Sequence, residues 1–260
     1  MRPNATRTFL LGITLLVAAF FSVVPPIPQD PRYHDFVDQR TLLGIPHFWN
    51  VASNLPFVMV GLIGMRKVWR GRLQGGLPDL RANYFLFFLG MLLIGLGSGY
   101  YHLAPSNRTL VWDRLPMAVS FMAFFCAMLG EHWSARLGRS ALGPLVFLGV
   151  FSVLYWSGTE LAGRGDLRPY LLVQFLPMLL LPVLLPGFPS ALAGSGYVWA
   201  VLAGYTVAKV LEWQDAAVLQ VLGHLSGHSL KHVSAAAAGY VFLLALQRRR
   251  VNRAARATGG

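Results

Sequence analysis

Eight apolar stretches run through this chain, at about 8–25, 47–65, 83–103, 114–131, 141–157, 169–186, 195–212 and 227–247. Each is close to the roughly 20 residues that a helix needs to cross the hydrocarbon core of a bilayer. In lipid, every backbone N–H and C=O must be satisfied within the protein, so only helices and closed barrels span it. Stretches of this length predict helices, and the fold class that follows is all-α: a polytopic transmembrane helix bundle. Turn signals separate the stretches, among them Pro25-Pro26-Ile27-Pro28, Gly75-Gly76-Leu77-Pro78, Ala104-Pro105-Ser106-Asn107, Gly163-Arg164-Gly165-Asp166 and Pro186-Gly187-Phe188-Pro189. The longest connection, 26–46, leaves no room for a separate soluble domain.

Composition closes off other classes. Hydrophobic residues make up 55% of the 260 and charged ones only 12%, which excludes a soluble globular enzyme, a disordered chain and a disulfide scaffold. The net charge of +12 has too little polar face around it to serve nucleic-acid binding. Cys126 is the single cysteine and lies in an apolar run, so it is expected to be a small buried side chain.

The first stretch follows Arg2 and Arg7 and could be read as a signal peptide. It is longer than a usual signal core and ends without a small-x-small cleavage site, so a retained anchor helix is expected. With eight spans, both termini share one side. Fourteen Lys and Arg fall on that side (Arg2, Arg7; Arg66, Lys67, Arg70, Arg72, Arg81; Arg136, Arg139; Arg248, Arg249, Arg250, Arg253, Arg256). Eight fall on the other (Arg32, Arg40, Arg108, Arg114, Arg164, Arg168, Lys209, Lys231). Positive loops stay in the cytoplasm, which predicts cytoplasmic termini and an outward end for the third stretch and the start of the eighth. The Arg248–Arg250 cluster reads as a stop signal touching anionic lipid, and Trp49, Trp112, Trp156 and Trp213 as an outward aromatic belt.

Ionisable groups inside a bilayer are costly, which makes each a functional candidate. His102 ends the third stretch, Asp113 opens the fourth, and His228 and His232 open the eighth, all at one membrane level. His228 and His232 are four apart and share a helix face, as do Ser98 and His102. Three histidines with an open fourth position are the pattern of a catalytic zinc; a structural zinc would want four closed ligands, usually with cysteine. Other readings stand beside this one. His224 and His228 are also four apart, although His224 precedes the expected start of the last helix. Asp113 could cap its helix or pair with Arg114, and Ser98 could be a small residue for helix packing. Glu160, Glu212 and Asp215 lie near the outward face and could meet a polar head group or cap helices.

Ser98-x3-His102, Asp113 eleven residues later, and His228-x3-His232 in the last helix resemble the alkaline ceramidases, within the superfamily of seven-helix membrane hydrolases that includes the progestin/adipoQ receptors. Phe48-Trp49-Asn50 followed by Ser53-Asn54 resembles the first core helix of that family. The resemblance implies an N-terminal anchor helix and linker over 1–34, a seven-helix catalytic core over 35–247 and a basic cytoplasmic tail over 248–260. It implies a membrane-embedded zinc amidase that cleaves an N-acyl sphingoid lipid taken from the bilayer, with His102, His228 and His232 holding zinc. Asp113 would orient or deprotonate the water, and Ser98 would stabilise the oxyanion. One position departs: alkaline ceramidases bind calcium through acidic residues that include a Glu just ahead of Phe-Trp-Asn, and here that position is His47. Asp35, Asp38 and a histidine make a poor calcium site, so Asp35, Asp38 and His34 are expected in a solvated interfacial loop and calcium is not expected. The alternative is a non-enzymatic receptor-type protein with a structural ion. A transporter would want paired broken helices, and Pro56, Pro116, Pro177 and Pro182 make no matched halves.

Overall fold

The computed structural model describes residues 3–71 and 73–252; Arg2, Arg72, Arg253 and Arg256 of the charge count, and most of the expected tail, lie outside the described residues. Ten α-helices are present among the described residues: α1 (Pro3–Val23), α2 (Phe48–Ala52), α3 (Leu55–Trp69), α4 (Arg81–Leu103), α5 (Asn107–His132), α6 (Ala135–Leu161), α7 (Arg168–Gly187), α8 (Gly196–Trp213), α9 (Asp215–Leu222) and α10 (Gly227–Arg248). The fold is an all-α polytopic bundle. Seven helical segments, α1, α2–α3, α4, α5, α6, α7 and α10, are long and apolar enough to cross a membrane. The expected seventh span, 195–212, forms α8, which has 18 residues and is not among the seven; Lys209 and Glu212 on its last turns lower its apolar character.

Local chemistry places the ends. The Ser106 hydroxyl accepts the Thr109 amide and starts α5 at 107, so Asp113 lies in the second turn of its helix and is not its cap. The expected second span is broken between Ala52 and Leu55. Pro56 has no amide to continue the i→i−4 ladder, so it begins α3 and does not kink it. Irregular backbone at this depth is tolerated because it is buried within protein. Ser226 caps α10 by accepting the Ser229 amide at 3.1 Å.

Neighbouring helices pack in chain order, α3 on α4, α4 on α5 and α5 on α6, and α10 closes the bundle against α8 and α3. Two close approaches carry the end of the bundle at which α4 finishes and α10 starts. A Cβ on Gly97 would sit 2.0 Å from the Trp112 carbonyl, so glycine lets α4 and α5 touch backbone to backbone next to the site. A Cβ on Gly227 would sit 2.1 Å from the Leu211 carbonyl, so glycine lets the start of α10 meet the end of α8. The main core is centred on Phe242, ringed by Phe87, Phe88 and Phe124. A second cluster at that same end joins Phe36, Tyr101, Leu110, Trp156, Leu167 and Tyr170. Outward-facing Leu15, Leu16, Phe147, Phe151 and Leu154 are at least half exposed, as a lipid-facing surface requires. Helix α1 packs on α7, with Thr6 against Gly187.

Some residues are not where the sequence places them. Trp156 is fully buried and is no part of an aromatic belt. Arg249 is buried against Glu131 and does not face lipid as a stop signal. Asp38 is buried, and both ring nitrogens of His34 are engaged, by the Tyr101 hydroxyl and Asn107 Oδ1, each at 2.9 Å. Gln29, Phe36 and Asp38 are thus packed onto the bundle, whereas Asp35 and most of the 26–46 connection are exposed, as in a solvated loop. Cys126 is buried and free, as expected.

Candidate metal centre and cavity

The last turn of α4 and the first two turns of α10 bring His102, His228 and His232 together. All three are buried, and each offers one nitrogen within 4.8 Å of the others. The Nε2 atoms of His102 and His228 are 3.4 Å apart, and the three rings sit 5.0–5.1 Å centre to centre. Three imidazoles aimed at one point, with no carboxylate between them, form a donor set that a shared divalent cation would satisfy. His224 lies outside the cluster, in the turn before α10, where its carbonyl accepts from Arg40.

The broken helix α2–α3 supports this cluster. Ser53 Oγ lies 2.8 Å from His232 Nδ1 and 3.2 Å from the Asn50 carbonyl. With the hydroxyl donating to that carbonyl, its oxygen accepts the Nδ1–H of His232, which leaves the Nε2 lone pair turned toward the other histidines. Asn50 Oδ1 accepts from Ser229 at 2.8 Å, and the Asn50 carbonyl accepts from the Asn54 amide group at 2.7 Å. Asp215 Oδ1 accepts the His228 backbone amide at 2.7 Å and so caps α10 from α9. His47, in the left-handed region at φ 47°, reaches the His102 carbonyl at 2.9 Å. Phe36 closes the outer side, its ring centre 4.6 Å from His102 and 4.5 Å from His228.

A cavity of about 370 Å³ opens beside the cluster, lined by His232, Ser98 and Asp113. The Ser98 side chain lies against the Asp113 carboxylate. Lys209, Glu212, Lys231 and Arg114 line the same polar end, with Gln29 and Tyr33 from the 26–46 connection. Glu212 takes both lysines, Lys209 at 2.6 Å and also Lys231. These lysines thus face inward and are not loop charges. Farther along the same helices the lining turns apolar: Met91 and Phe87 on α4, Phe124 on α5, Val201 on α8 and Gly239 on α10. Eleven residues separate Ser98 from Phe87, which at helical rise is about 16 Å.

The expected poor calcium site is occupied by a guanidinium. Both Asp38 oxygens are held by Arg40 at 2.7 Å, and Arg40 also reaches the carbonyls of Gly223 at 3.3 Å and His224 at 2.7 Å. These hydrogen bonds hold the Asp38 carboxyl below its ordinary value. Asp35 is exposed. Calcium needs several hard oxygens at one point, and both Asp38 oxygens already accept from Arg40. Glu160 accepts the Gln29 amide at 2.6 Å and the Trp156 indole at 3.2 Å, and so anchors the connection.

The ceramidase family model matches residues 43–162. This stretch contains Asn50, Ser53, Ser98, His102 and Asp113. The chain is similar to the ceramidases. Among curated relatives, alkaline ceramidase 3 of Mus musculus is 28% identical over 86 residues, which is 33% of this chain and 30% of that protein. The chain thus matches about a third of that ceramidase's length. The matched stretch ends before His228 and His232, and it is the packing of α10 against α3 and α4 that sets them beside His102.

Ser53 and Asn50 are placed by the structure in a role that the sequence motif alone did not reveal. The signal was available in outline: a Ser-Asn pair just before a proline in an apolar stretch marks a break at which polar side chains must find partners.

Proposed function

We propose that this protein is a membrane-embedded, zinc-dependent amidase that hydrolyses ceramide or a related N-acyl lipid. One observation carries the reading: three buried imidazoles converge beside Ser98 and Asp113 at the polar end of an otherwise apolar cavity. The similarity to ceramidases supports the reaction class.

His102, His228 and His232 would hold the metal, which supplies a Lewis acid that polarises the amide carbonyl and acidifies water. Asp113 takes the proton of the attacking water and returns it to the leaving nitrogen. The Ser98 hydroxyl donates to the carbonyl oxygen as negative charge develops there. The C–N bond breaks, oxygen adds to the carbonyl carbon, and the products are a fatty acid and an amine. Ser53, through His232 Nδ1, fixes the ring orientation that metal binding needs. The acyl chain lies along Met91, Phe87 and Phe124.

The core spans 35–247, α1 is an anchor, and both termini face the cytoplasm, with the metal centre toward the outer leaflet. Three of the eight outer cationic residues, Arg114, Lys209 and Lys231, line the cavity and are not exposed in loops, which sharpens the charge asymmetry.

The test is metal analysis of detergent-purified protein together with hydrolysis of fluorescent N-acyl lipids. Wild type is expected to carry one zinc per chain and to release fatty acid. Asp113→Asn is expected to keep the metal and lose turnover. Protein without stoichiometric zinc, or turnover indifferent to loss of the histidines, overturns the proposal. A reporter fused to the C-terminus should be active only in the cytoplasm; activity outside reverses the orientation.

A further inference from the structure

Two stretches of chain that bear on the three histidines are joined by one side chain. The first is 36–47. Phe36 closes over His102 and His228, and His47 Nδ1 donates to the His102 carbonyl at 2.9 Å. The second is 223–226, the segment between α9 and α10, which leads through the Ser226 cap into His228. Arg40 spans the two. Its Nε and Nη2 each donate to one oxygen of the buried Asp38 carboxylate, at 2.7 Å. Nη2 also donates to the His224 carbonyl at 2.7 Å, and Nη1 to the Gly223 carbonyl at 3.3 Å. The backbone carbonyl of Arg40 accepts the Phe48 amide at 3.1 Å, so the arginine is itself anchored at the start of α2.

Four oxygens thus gather around one cation, and two of them come from 183 and 184 residues farther along the chain. Carboxylate and carbonyl oxygens are the hard donors that a calcium ion takes. Here a guanidinium meets them, and its planar fork supplies a separate N–H for each acceptor. A calcium ion entering at Asp38 would have to displace this guanidinium against its like charge. The guanidinium is part of the chain, so neither dilution nor a chelator removes it.

We propose that Arg40 is a positioning residue for the metal centre. Its guanidinium clamps the cover that carries Phe36 and His47 to the segment that leads into His228, and so serves as a tethered cation where a calcium ion would otherwise link the two. The protein is thus independent of calcium, in contrast to what the resemblance to alkaline ceramidases implies. In its bearing on metal binding the proposal rests on the amidase reading above; the clamp itself does not.

The test uses the full chain purified in detergent. Arg40→Ala should lower hydrogen-exchange protection over 36–47 and 223–228 together. It should also weaken zinc binding about tenfold, the lower end of what loss of support around a metal ligand costs. Guanidinium ion at a sub-denaturing concentration should restore that affinity, which a role in packing alone would not allow. Arg40→Lys should keep protection over 36–47 and lose it over 223–228, because an ammonium can pair with Asp38 but lacks the fork that reaches both carbonyls. Raising calcium from trace to millimolar levels at fixed free zinc should leave the wild-type melting temperature and turnover unchanged. The proposal is overturned if Arg40→Ala loosens only one of the two segments, keeps wild-type zinc affinity or is not rescued by guanidinium. Calcium that raises either wild-type value overturns it equally. Where Arg40→Ala does not fold, the calcium titration and Arg40→Lys decide, and wild-type protection over 223–228 in Arg40→Lys sinks the clamp. Hydrogen exchange and melting need neither zinc nor turnover. A chain without zinc therefore ends the amidase reading, while joint loosening of the two segments still supports the clamp.

Discussion

Both ends of the bundle bury charge, in opposite manners. At one end, Arg249 grips Glu131 through two bonds of 2.7 and 2.8 Å, and the Tyr84 hydroxyl gives Glu131 a third at 2.8 Å. Both charged side chains are at most 1% exposed, and the group is closed, neutral and lined by core. At the opposite end, Asp113, Arg114, Lys209, Glu212 and Lys231 line a cavity and carry a surplus of positive charge. Buried charge that is fully partnered among side chains ties α5 to α10 and asks nothing of a ligand. Charged side chains that line a cavity can meet a ligand.

The sharpest way to break this contrast is to remove one histidine. His232→Ala should take metal and turnover to background, a loss of at least about 10³-fold if the metal supplies several kcal/mol to the transition state. Its melting temperature in metal-free buffer should stay near wild type, because no closed ion pair is lost. The Arg249–Glu131 end should behave in reverse. Glu131→Gln leaves Arg249 buried without its counter-charge and should cost roughly 3–5 kcal/mol of stability. Zinc stoichiometry in the surviving folded fraction should be unchanged. Replacing both partners by apolar residues, Glu131→Leu with Arg249→Met, should recover most of that stability. If Glu131→Gln instead empties the metal centre without melting the protein, the two ends are coupled and the contrast fails. Ser53→Ala should have an intermediate effect. It removes the oxygen that orients His232, so zinc affinity should fall about 10–100-fold. Competition with a chelator of known affinity would measure this, and wild-type retention would show that Ser53 does not set the ring.

The apolar stretches made the helix bundle readable from the chain, because span length is dictated by the bilayer and not by neighbours. His102, His228 and His232 could be placed at one level for the same reason, since the order of crossings fixes which end of a helix faces out. What could not be read were partners. Arg249 and Glu131 lie 118 residues apart, and nothing local says that the arginine after α10 turns inward. Lys209 and Lys231 look like loop charges until α8 and α10 pack together and Glu212 takes both. Trp156 fits an interfacial belt by position, yet it is buried under Arg114. Hydropathy gives depth along the membrane normal, whereas the rotation of each helix about its axis is settled by contacts with its neighbours.

The 26–46 connection gives the gentlest test of the cavity end, because its tie between Arg40 and Asp38 is ionic and lies outside the spans. Arg40 holds the Asp38 carboxyl below its ordinary value of 3.8. A carboxyl depressed on folding stabilises while it is ionised. The contribution is complete above the unfolded value and is lost as pH falls through the still lower folded one. Between about pH 5 and 8 the Asp38–Arg40 pair should therefore be insensitive to acid. Below the ordinary carboxylate range, Arg40 should release Asp38, and the link to Gly223 and His224 should weaken. Hydrogen exchange across 36–47, followed against pH, should show protection falling only in that acid range. Asp38→Asn should show lower protection at neutral pH and no further acid step. Asp166 is depressed in the same direction by Arg168 in the turn before α7, so its segment provides an internal control. Asp38→Asn should leave the acid response there intact. An unchanged profile across 36–47 in the variant would show that this pair does not hold the cover of the site, and that Phe36 and His47 suffice.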